Sequence, residues 1–276
     1  SSITATTNPI TMNLMADQDT NSSGAVYINK PLNSNNGNIT IAAYGNIALN
    51  DGTATNITAG TGTVTLTSNG GAIQGDPAGG PLDILAATVQ LNAATGISAN
   101  GGSAPFYVDA GSIGFSNSGT PLVRIYNNHA GASSFTVSST GGPLVLESFD
   151  SANPTSVGII TATGGDTVLR INNLNITNPI NAGAYSVYLA PYTASSPVSI
   201  NGSATFDVAG AELSNITAGK VIVGYDTFGN YASTATIGAT AAVSISNAAN
   251  LEVVAPSITV GANGFTNTGG SLLLTA

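Results

Sequence analysis

A short apolar pattern returns about every 24 residues along this chain. A second lane of apolar residues runs through Leu49, Ile73 and Ile97, and a third through Leu82-Asp83-Ile84 and Phe106-Tyr107-Val108, each at steps of 24. Because three lanes share one period, each turn should carry about three short strands, which predicts a solenoid. The first lane has steps of 25, 25 and 24 and comprises Ile39-Thr40-Ile41, Val64-Thr65-Leu66, Val89-Gln90-Leu91 and Ile113-Gly114-Phe115.

The alternation of apolar and polar residues inside each lane predicts which side chains face the core. In Ile39-Thr40-Ile41 the apolar side chains should enter a core while Thr40 faces water. Strands that repeat at a fixed period stack on their counterparts in parallel, about 4.8 Å apart. The chain of 276 residues is therefore predicted to form a single all-β shaft over 1–276, a right-handed parallel β-helix of roughly eleven turns.

The second half keeps a rhythm, but the period shortens. The sequence places four segments in one lane at steps of 24, 23 and 22, and it pairs Leu251/Val253 with Leu272/Leu274. Between 147 and 166 the phase blurs, so we expect an irregular or loop-bearing region there. The four segments of the lane are Leu174-Asn175-Ile176, Val198-Ser199-Ile200, Val221-Ile222-Val223 and Val243-Ser244-Ile245.

Charge and composition exclude several classes of function. Charged residues make up 6% of the chain, the net charge is −9, and the four basic residues are scattered, so nucleic acid is not an expected partner. The chain has no cysteine, which excludes disulfides and thiolate metal sites. No apolar run reaches the roughly 20 residues that cross a bilayer, so we expect no membrane span. No cofactor is expected. The basic residues are Lys30, Arg124, Arg170 and Lys220.

Two phrases resemble the repeats of filamentous haemagglutinin-like exoproteins. Residues 212–224 resemble that family's E-L-x-x-I-T-A-G-x-x-x-x-G phrase, and residues 16–26 resemble its A-D-x-D-x-N-x-x-G-A-V phrase. Gly37-Asn38-Ile39-Thr40-Ile41 and Asn92-Ala93-Ala94-Thr95-Gly96-Ile97 are similar to its repeat style. The likeness extends over most of the chain at the level of repeats, and the amino-terminal secretion domain of such proteins is not recognisable here.

The resemblance implies an adhesin exported by a Gram-negative bacterium through an outer-membrane transporter partner. The expected function is that of a non-catalytic structural shaft of a secreted or surface-displayed fibre, used in cell adhesion or in an extracellular matrix. Glycans are the expected ligands of such a surface. The alternative is a β-helix that binds or cleaves polysaccharides.

The two ends of the sequence lead to a further expectation. No basic-then-apolar signal segment begins at Ser1, and the sequence finishes on Ser271-Leu272-Leu273-Leu274, which is typical of a strand without a polar cap. Two explanations stay open. Either the chain is a piece of a longer exoprotein, or copies of it stack end to end so that each caps the next and a filament forms.

Catalytic residues are sparse in the sequence. The single histidine, His129, could act as a base beside Arg124, but we expect a turn residue, with Asp109 or Glu147 as carboxylates that the solenoid could bring near it. Glycoside hydrolysis needs a pair of carboxylates about 5–10 Å apart, whereas the acids here occur mostly singly. The chain is therefore not expected to be an enzyme.

Two further groups are candidate binding residues. Asp17, Asp19 and Asn21 have the i, i+2, i+4 spacing of a calcium loop, but Ser22 stands where such a loop has Gly and Ile28 where it has Glu, so a polar turn is favoured. Five tyrosines crowd the second half and could form a surface that binds sugar rings, or simply cover the sheet. These are Tyr185, Tyr188, Tyr192, Tyr225 and Tyr231.

Overall fold

The computed structural model describes residues 2–16, 22–52, 54–76, 82–99, 102, 104–245, 250–267 and 270–276. The chain divides into two compact units. The first contains Ser1–His129 and Phe135–Gly142, and the second contains Ala130–Ser134 and Pro143–Ala276. Strands pair in parallel at every register given below, and the described residues form a β-solenoid, as the sequence predicts, with about ten turns where roughly eleven were expected.

The first unit is built from short strands joined by tight corners. One further strand, β14 (Ser133–Thr140), has residues in both units. The strands of the first unit are β1 (Ile3–Thr4), β2 (Met12–Met15), β3 (Val26–Ile28), β4 (Leu32–Asn33), β5 (Ile39–Ala43), β6 (Ile47–Leu49), β7 (Ile57–Ser68), β8 (Ile73–Gly75), β9 (Ile84–Ala93), β10 (Ile97–Ala99), β11 (Phe106–Asp109), β12 (Ser112–Asn117) and β13 (Val123–Asn127).

The first predicted lane is confirmed residue by residue. Ile39 pairs with Val64, Val64 with Val89, and Val89 with Ile113. These four side chains are fully buried, so they form one continuous apolar column inside the solenoid. In the third lane, Ile84 pairs with Val108 as the sequence predicts.

The second predicted lane is wrong by two residues. Ile73 pairs with Ile97 as expected, but its partner in the preceding turn is Ile47 and not Leu49. Leu49 pairs with Ile28 in the other neighbouring turn. Both Ile47 and Leu49 are fully buried, so spacing alone could not choose between them.

Asparagine side chains join successive corners of the first unit. The Asn38 Oδ1 atom accepts a hydrogen bond of 2.9 Å from the backbone N–H of Thr63, one turn later. The Asn46 Oδ1 atom accepts one of 2.9 Å from the backbone N–H of Ala72. Corners interrupt the backbone ladder, so these amides satisfy donors that the ladder leaves unpaired.

The second unit contains the one described helix and longer turns. The helix is α1 (Gly210–Leu213). The strands are β15 (Leu144–Ser148), β16 (Thr155–Ala162), β17 (Thr167–Ile171), β18 (Leu174–Ile176), β19 (Ile180–Asn181), β20 (Ser186–Ala190), β21 (Val198–Ile200), β22 (Phe206–Val208), β23 (Ile216–Thr217), β24 (Lys220–Val223), β25 (Ala235–Ile237), β26 (Val243–Ile245), β27 (Asn250–Val254), β28 (Ile258–Val260), β29 (Phe265–Asn267) and β30 (Ser271–Thr275).

The main ladder of this unit has unequal steps. It connects β15, β17, β20, β24, β27 and β30. Its column of aligned apolar residues advances by 23, 20, 34, 30 and 21 positions, so the turns differ widely in length while the strands stay in register. The column consists of Leu146, Leu169, Leu189, Val223, Val253 and Leu274.

The single lane predicted for the second half is therefore wrong, although its segments are strands. Val198 pairs with Phe206 and Ala235, and not with Leu174 or Val221. The turn between Leu189 and Val223 holds three strands, β21, β22 and β23, together with helix α1. An insertion of that size shifts the phase, which a search at constant period cannot follow. The pairing of Leu251 with Leu272 is confirmed.

Glu212 is the first residue of the segment 212–224, and its carboxylate connects two parts of the second unit. Its Oε2 atom accepts a hydrogen bond of 2.7 Å from the Ala209 N–H, and its Oε1 atom accepts one of 2.6 Å from the Ile176 N–H. Burial raises the pKa of Glu212, while these two donors lower it. Glu212 thus attaches helix α1 to the preceding turn, and Leu213 and Ile216 that follow it are fully buried.

Residues 147–166 contain the last two residues of β15 and the whole of β16, with a turn before and after β16. β16 pairs with β18 and β19, so this stretch contributes to the ladder. The turn before it is organised by Asp150, whose Oδ1 atom accepts hydrogen bonds from the backbone N–H groups of Ala152 (2.8 Å) and Asn153 (3.2 Å).

Candidate binding groove on the second unit

Three of the five tyrosines singled out in the sequence meet in the second unit. The ring centroids of Tyr225 and Tyr231 lie 4.8 Å apart with planes tilted by 32°. Tyr188 meets Tyr225 edge to face at 6.4 Å. Tyr192 lies instead against Arg170, and Tyr185 is 43% exposed and does not line the groove described next.

These tyrosines line a groove of about 430 Å³ on the outer face of the solenoid. Its floor comes from outward-facing residues of the stacked strands β20, β24, β27 and β30, and its wall comes from the loop after β24. A regular parallel sheet brings side chains from successive turns side by side, so residues far apart in sequence converge here. The lining consists of Ser186, Tyr188, Lys220, Ile222, Tyr225, Tyr231, Glu252, Val254 and Thr275.

Residues 225–231 form the wall of the groove, and we refer to them as the tyrosine loop. An antiparallel bridge joins Tyr225 to Tyr231 at its base. Inside it, Asp226 Oδ1 accepts hydrogen bonds from the N–H groups of Phe228 (2.8 Å) and Asn230 (3.0 Å). The loop leaves the strand through Gly224, whose φ of +91° is a conformation that glycine adopts most readily.

Arg170 attaches the tyrosine loop to strand β17. Its Nε atom lies 2.7 Å from Asp226 Oδ2, at an angle that makes the contact an ion pair more than an aligned hydrogen bond. A second ion pair joins its Nη1 atom to Glu147, the residue beside it in the ladder. The guanidinium also stacks on the rings of Tyr192 (5.0 Å) and Phe228 (5.4 Å). Because both carboxylates are nearly inaccessible, the three charges depend on one another.

The groove itself holds one ion pair, between Lys220 and Glu252. Thr275 Oγ1 also donates a hydrogen bond of 2.7 Å to Glu252 Oε1. The bond from Lys220, followed by the one from Thr275, holds the pKa of Glu252 below its ordinary value despite partial burial. Burial, and after it the nearby Asp166 charge, raises the pKa of Tyr188, so this phenol is neutral at pH 7.

A smaller pocket of about 240 Å³ lies elsewhere on the second unit. Its lining combines hydroxyl groups, two prolines and the ring of Phe206. Asn172 organises it, because its Oδ1 atom accepts a hydrogen bond of 2.8 Å from the Thr193 N–H and its Nδ2 atom donates one of 2.9 Å to Thr193 Oγ1.

In the first unit, His129 has a carboxylate partner. Its Nδ1 atom lies 2.7 Å from Asp109 Oδ1, and each side chain is about a third exposed. From the sequence, Asp109 and Glu147 are both candidates to approach His129. It is Asp109, whereas Glu147 pairs with Arg170 in the second unit. A histidine held in this way has an oriented Nε2 atom, which is one component of acid–base chemistry.

The first unit also buries two neighbouring carboxylates. Asp83 is fully buried and accepts hydrogen bonds of 2.8 Å from the N–H groups of Asp76 and Tyr107. Burial raises the pKa of Asp83 to about 7, and the charge of Asp76 adds to this rise. Asp76 is held by Asn56, whose Nδ2 atom donates a hydrogen bond of 2.7 Å to its Oδ2 atom.

The candidate calcium residues Asp17, Asp19 and Asn21 lie outside the described residues. Among the residues that the structure describes, no group of three or more His, Asp or Glu side chains is placed to hold a metal ion. The expectation that the protein uses no cofactor stays a prediction.

Comparison of the chain with protein-family models, with curated proteins and with solved structures finds no significant match. In the described part of the chain, no helix is long and apolar enough to cross a membrane.

Sequence reasoning identified three aromatic residues of the groove but missed its charged pair and its loop. Lys220 and Glu252 stand 32 positions apart, which is not a multiple of the 22–24 residue period that the sequence suggests. Arg170 and Asp226 are separated by 56 positions, and one of them lies in a loop that no periodicity describes. The signal in the sequence is weak: of the four basic residues, Lys220 is the one within five positions of a groove tyrosine, Tyr225.

Proposed function

We propose that this protein is a non-catalytic bacterial adhesin or matrix fibre of the filamentous haemagglutinin-like kind, and that it binds glycan chains in the tyrosine groove. The observation that carries the proposal is the convergence of Tyr188, Tyr225 and Tyr231 around one open groove. Aromatic rings offer the apolar faces of sugar rings a large, rigid contact area at low cost in conformational entropy.

The remaining lining fits the same ligand class. Sugars carry hydroxyl groups around apolar ring faces, so their sites combine aromatic rings with a few hydrogen-bonding groups. Here Ser186, Thr275, Lys220 and Glu252 supply hydroxyl, ammonium and carboxylate groups next to the tyrosines. The groove is open along the surface of stacked strands, which suits a chain more than a small enclosed molecule.

The adhesin setting rests on the sequence resemblance and on the repetitive β-solenoid. A solenoid presents an extended and regular surface, and binding loops can project from it without changing the core. We place the protein outside the cell or on the surface of a Gram-negative bacterium, exported with an outer-membrane transporter. Stacking of copies end to end remains part of this proposal.

Binding of purified protein to an oligosaccharide panel tests the proposal directly. We expect Tyr225→Ala and Tyr231→Ala to weaken binding by about tenfold or more, which corresponds to about 1.4 kcal/mol. Tyr27→Ala is the matched control, because Tyr27 is 61% exposed and lies in the first unit. Equal binding by all three variants, or no binding by the unaltered protein, would contradict the proposal.

The polysaccharide-cleaving alternative has one observation in its favour, the pair formed by His129 and Asp109. It predicts that incubation with a bound polysaccharide releases shorter products and that His129→Gln abolishes the release. The adhesin proposal predicts no product from either protein. Size-exclusion analysis of the polysaccharide after prolonged incubation distinguishes the two.

A further inference from the structure

We infer that the groove selects uncharged pyranose chains and that the Lys220–Glu252 pair is its specificity determinant. This inference rests on the proposed function, since it names the chemical class of the glycan that the tyrosine groove holds. It is carried by the charges and hydrogen-bonding groups of the lining, not by the aromatic rings.

The charges of the lining cancel. Lys220 is its one cation and Glu252 its one anion, and the two are in direct contact. The Tyr188 phenol next to them is neutral at pH 7 because burial raises its pKa. The charges of the lining residues therefore sum to zero, while Asp166 next to Tyr188 and the chain's net charge of −9 add negative charge around the groove.

A paired ammonium and carboxylate suit vicinal hydroxyl groups. Lys220 retains N–H donors beyond the one directed at Glu252, since an ammonium group has three. The Glu252 carboxylate has about four acceptor positions, of which the bonds from Lys220 and Thr275 use two. One hydroxyl can accept from Lys220 while its neighbour donates to Glu252, and the ion pair stays intact.

Charged glycans meet opposition at the same place. A carboxylate or sulfate group would approach Lys220 only beside Glu252, and like charges in close contact disfavour binding. The overall negative charge of the protein adds a long-range repulsion that salt screens. An amino sugar would have to compete with Lys220 for Glu252. Neutral hexose chains meet none of these costs.

Calorimetric titration of the full chain tests the inference. The probes are neutral hexose oligosaccharides of several linkages, together with uronic-acid, sulfated and amino-sugar oligosaccharides of equal length. We expect the neutral probes to bind at least about tenfold more tightly than the uronic-acid and sulfated ones. We also expect the affinity for neutral probes to change little between low and high salt, because no net charge is neutralised.

If the Lys220–Glu252 pair determines specificity, two single substitutions should change which glycans the groove prefers. In Glu252→Gln the Lys220 ammonium loses its counter-charge, so affinity for uronic-acid oligosaccharides should rise and become sensitive to salt. In Lys220→Met the carboxylate remains, so affinity for amino-sugar oligosaccharides should rise and affinity for neutral ones should fall. Lys30→Met is the control, because it removes the charge of a 61% exposed lysine that pairs with Asp51 and does not line the groove, so the ratio of neutral to anionic affinity should stay unchanged.

The outcomes separate this inference from the proposed function. Tyrosine-dependent binding that prefers uronic-acid or sulfated probes would leave glycan binding standing and overturn the inference. An unchanged ratio of neutral to anionic affinity in Glu252→Gln would overturn it as well. Failure of every probe class to bind would overturn the proposed function together with the inference. Melting temperatures close to that of the unaltered protein establish that the variants are folded.

Discussion

Arg170 Nε and Asp226 Oδ2 lie 2.7 Å apart and join a strand of the solenoid to the tyrosine loop close to its base. Asp226 is fully buried and also organises the loop internally, because its Oδ1 atom accepts two backbone hydrogen bonds there. A single carboxylate thus sets both the shape of the loop and its position. Groove tyrosines at both ends of the loop depend on that contact.

Arg170→Gln should release the tyrosine loop. Removing one partner of a buried charge pair costs about 3–5 kcal/mol, because the remaining charges stay desolvated, and here Glu147 and Asp226 would both be left without their cation. The chain has no tryptophan, so Phe228→Trp introduces a single fluorescent reporter in the loop. Its emission should shift to longer wavelength when Arg170→Gln is added.

Lys30→Gln is the matched control for that measurement, since Lys30 is 61% exposed and pairs with Asp51 in the first unit. It should leave the emission unchanged, because the ion pair that it removes includes no residue of the tyrosine loop. Arg170→Lys should restore the emission in part only, since lysine cannot reach two carboxylates with a planar fork. Identical spectra for all variants would show that Arg170 does not hold the loop.

Asp83 should make the protein less stable as pH rises towards neutrality. Its folded pKa of about 7 is above the ordinary value, so the folded state binds the proton more tightly than the unfolded chain does. The resulting stabilisation is fully present below about pH 4 and is lost as pH rises through about 7, with a magnitude on the order of 4 kcal/mol.

Denaturant unfolding at pH 5 and pH 8 measures this effect. In Asp83→Asn the side chain no longer titrates, so the decrease in unfolding free energy between the two pH values should be smaller. The comparison uses the difference between pH values, because the amide also disturbs one of the hydrogen bonds from Asp76 and Tyr107. The same decrease in both proteins would rule out Asp83 as its source.

Two glycines, Gly224 just before the tyrosine loop and Gly229 within it, should respond differently to alanine. Gly224 has φ +91° and Gly229 has φ +86°, so both substitutions incur the cost of a left-handed alanine, about 1–2 kcal/mol. A methyl group at Gly224 would also collide with the Val254 carbonyl oxygen, whereas at Gly229 it would meet open space. Gly224→Ala should therefore lower the melting temperature more than Gly229→Ala, and the reverse order would contradict this geometry.

Engineered cysteines can test the strand register of the second unit, since the chain has none of its own. Ser156 and Asn175 face each other on neighbouring strands, and such a pair falls within the separation that a disulfide spans. Ser156→Cys with Asn175→Cys should crosslink on mild oxidation. Asn175→Cys with Ser199→Cys should not, because Ser199 pairs with Asp207 and Thr236. Crosslinking of the second pair would support the constant-period register instead.

The sequence predicts the fold class well because the information is local. Inward and outward residues alternate within each strand, as in Ile39-Thr40-Ile41, and every turn repeats that pattern. Register is harder to predict. Where turns have nearly constant length, as from Ile39 to Ile113, the period gives the partner of each strand. The period does not identify the strand partner where both Ile47 and Leu49 point inward, or where a turn grows by ten residues or more.

The groove was only partly predictable for the same reason. Tyrosines 188, 225 and 231 stood out by composition, yet their meeting depends on a 34-residue turn and on a loop that folds back onto β17. Lys220 and Glu252 lie on neighbouring strands that a 30-residue turn connects. A constant period does not predict a turn of that length, so it does not predict the pair. Tyr185 and Tyr192 belong to the same tyrosine-rich part of the sequence but do not line the groove. Composition alone does not show towards which side of the fold a side chain points.

Unequal turns on an unbroken ladder have a consequence for how such a protein can change. The tyrosine loop leaves β24 at Gly224 and closes through the bridge between Tyr225 and Tyr231, and the chain later rejoins the ladder at β27, in register. Residues 227–230 of the loop belong to no strand, so segments of different length and chemistry can occupy them while the buried column from Leu146 to Val253 stays as it is. The residues of this short interval can therefore change without changing the core, which makes it the natural place to graft or diversify a binding specificity.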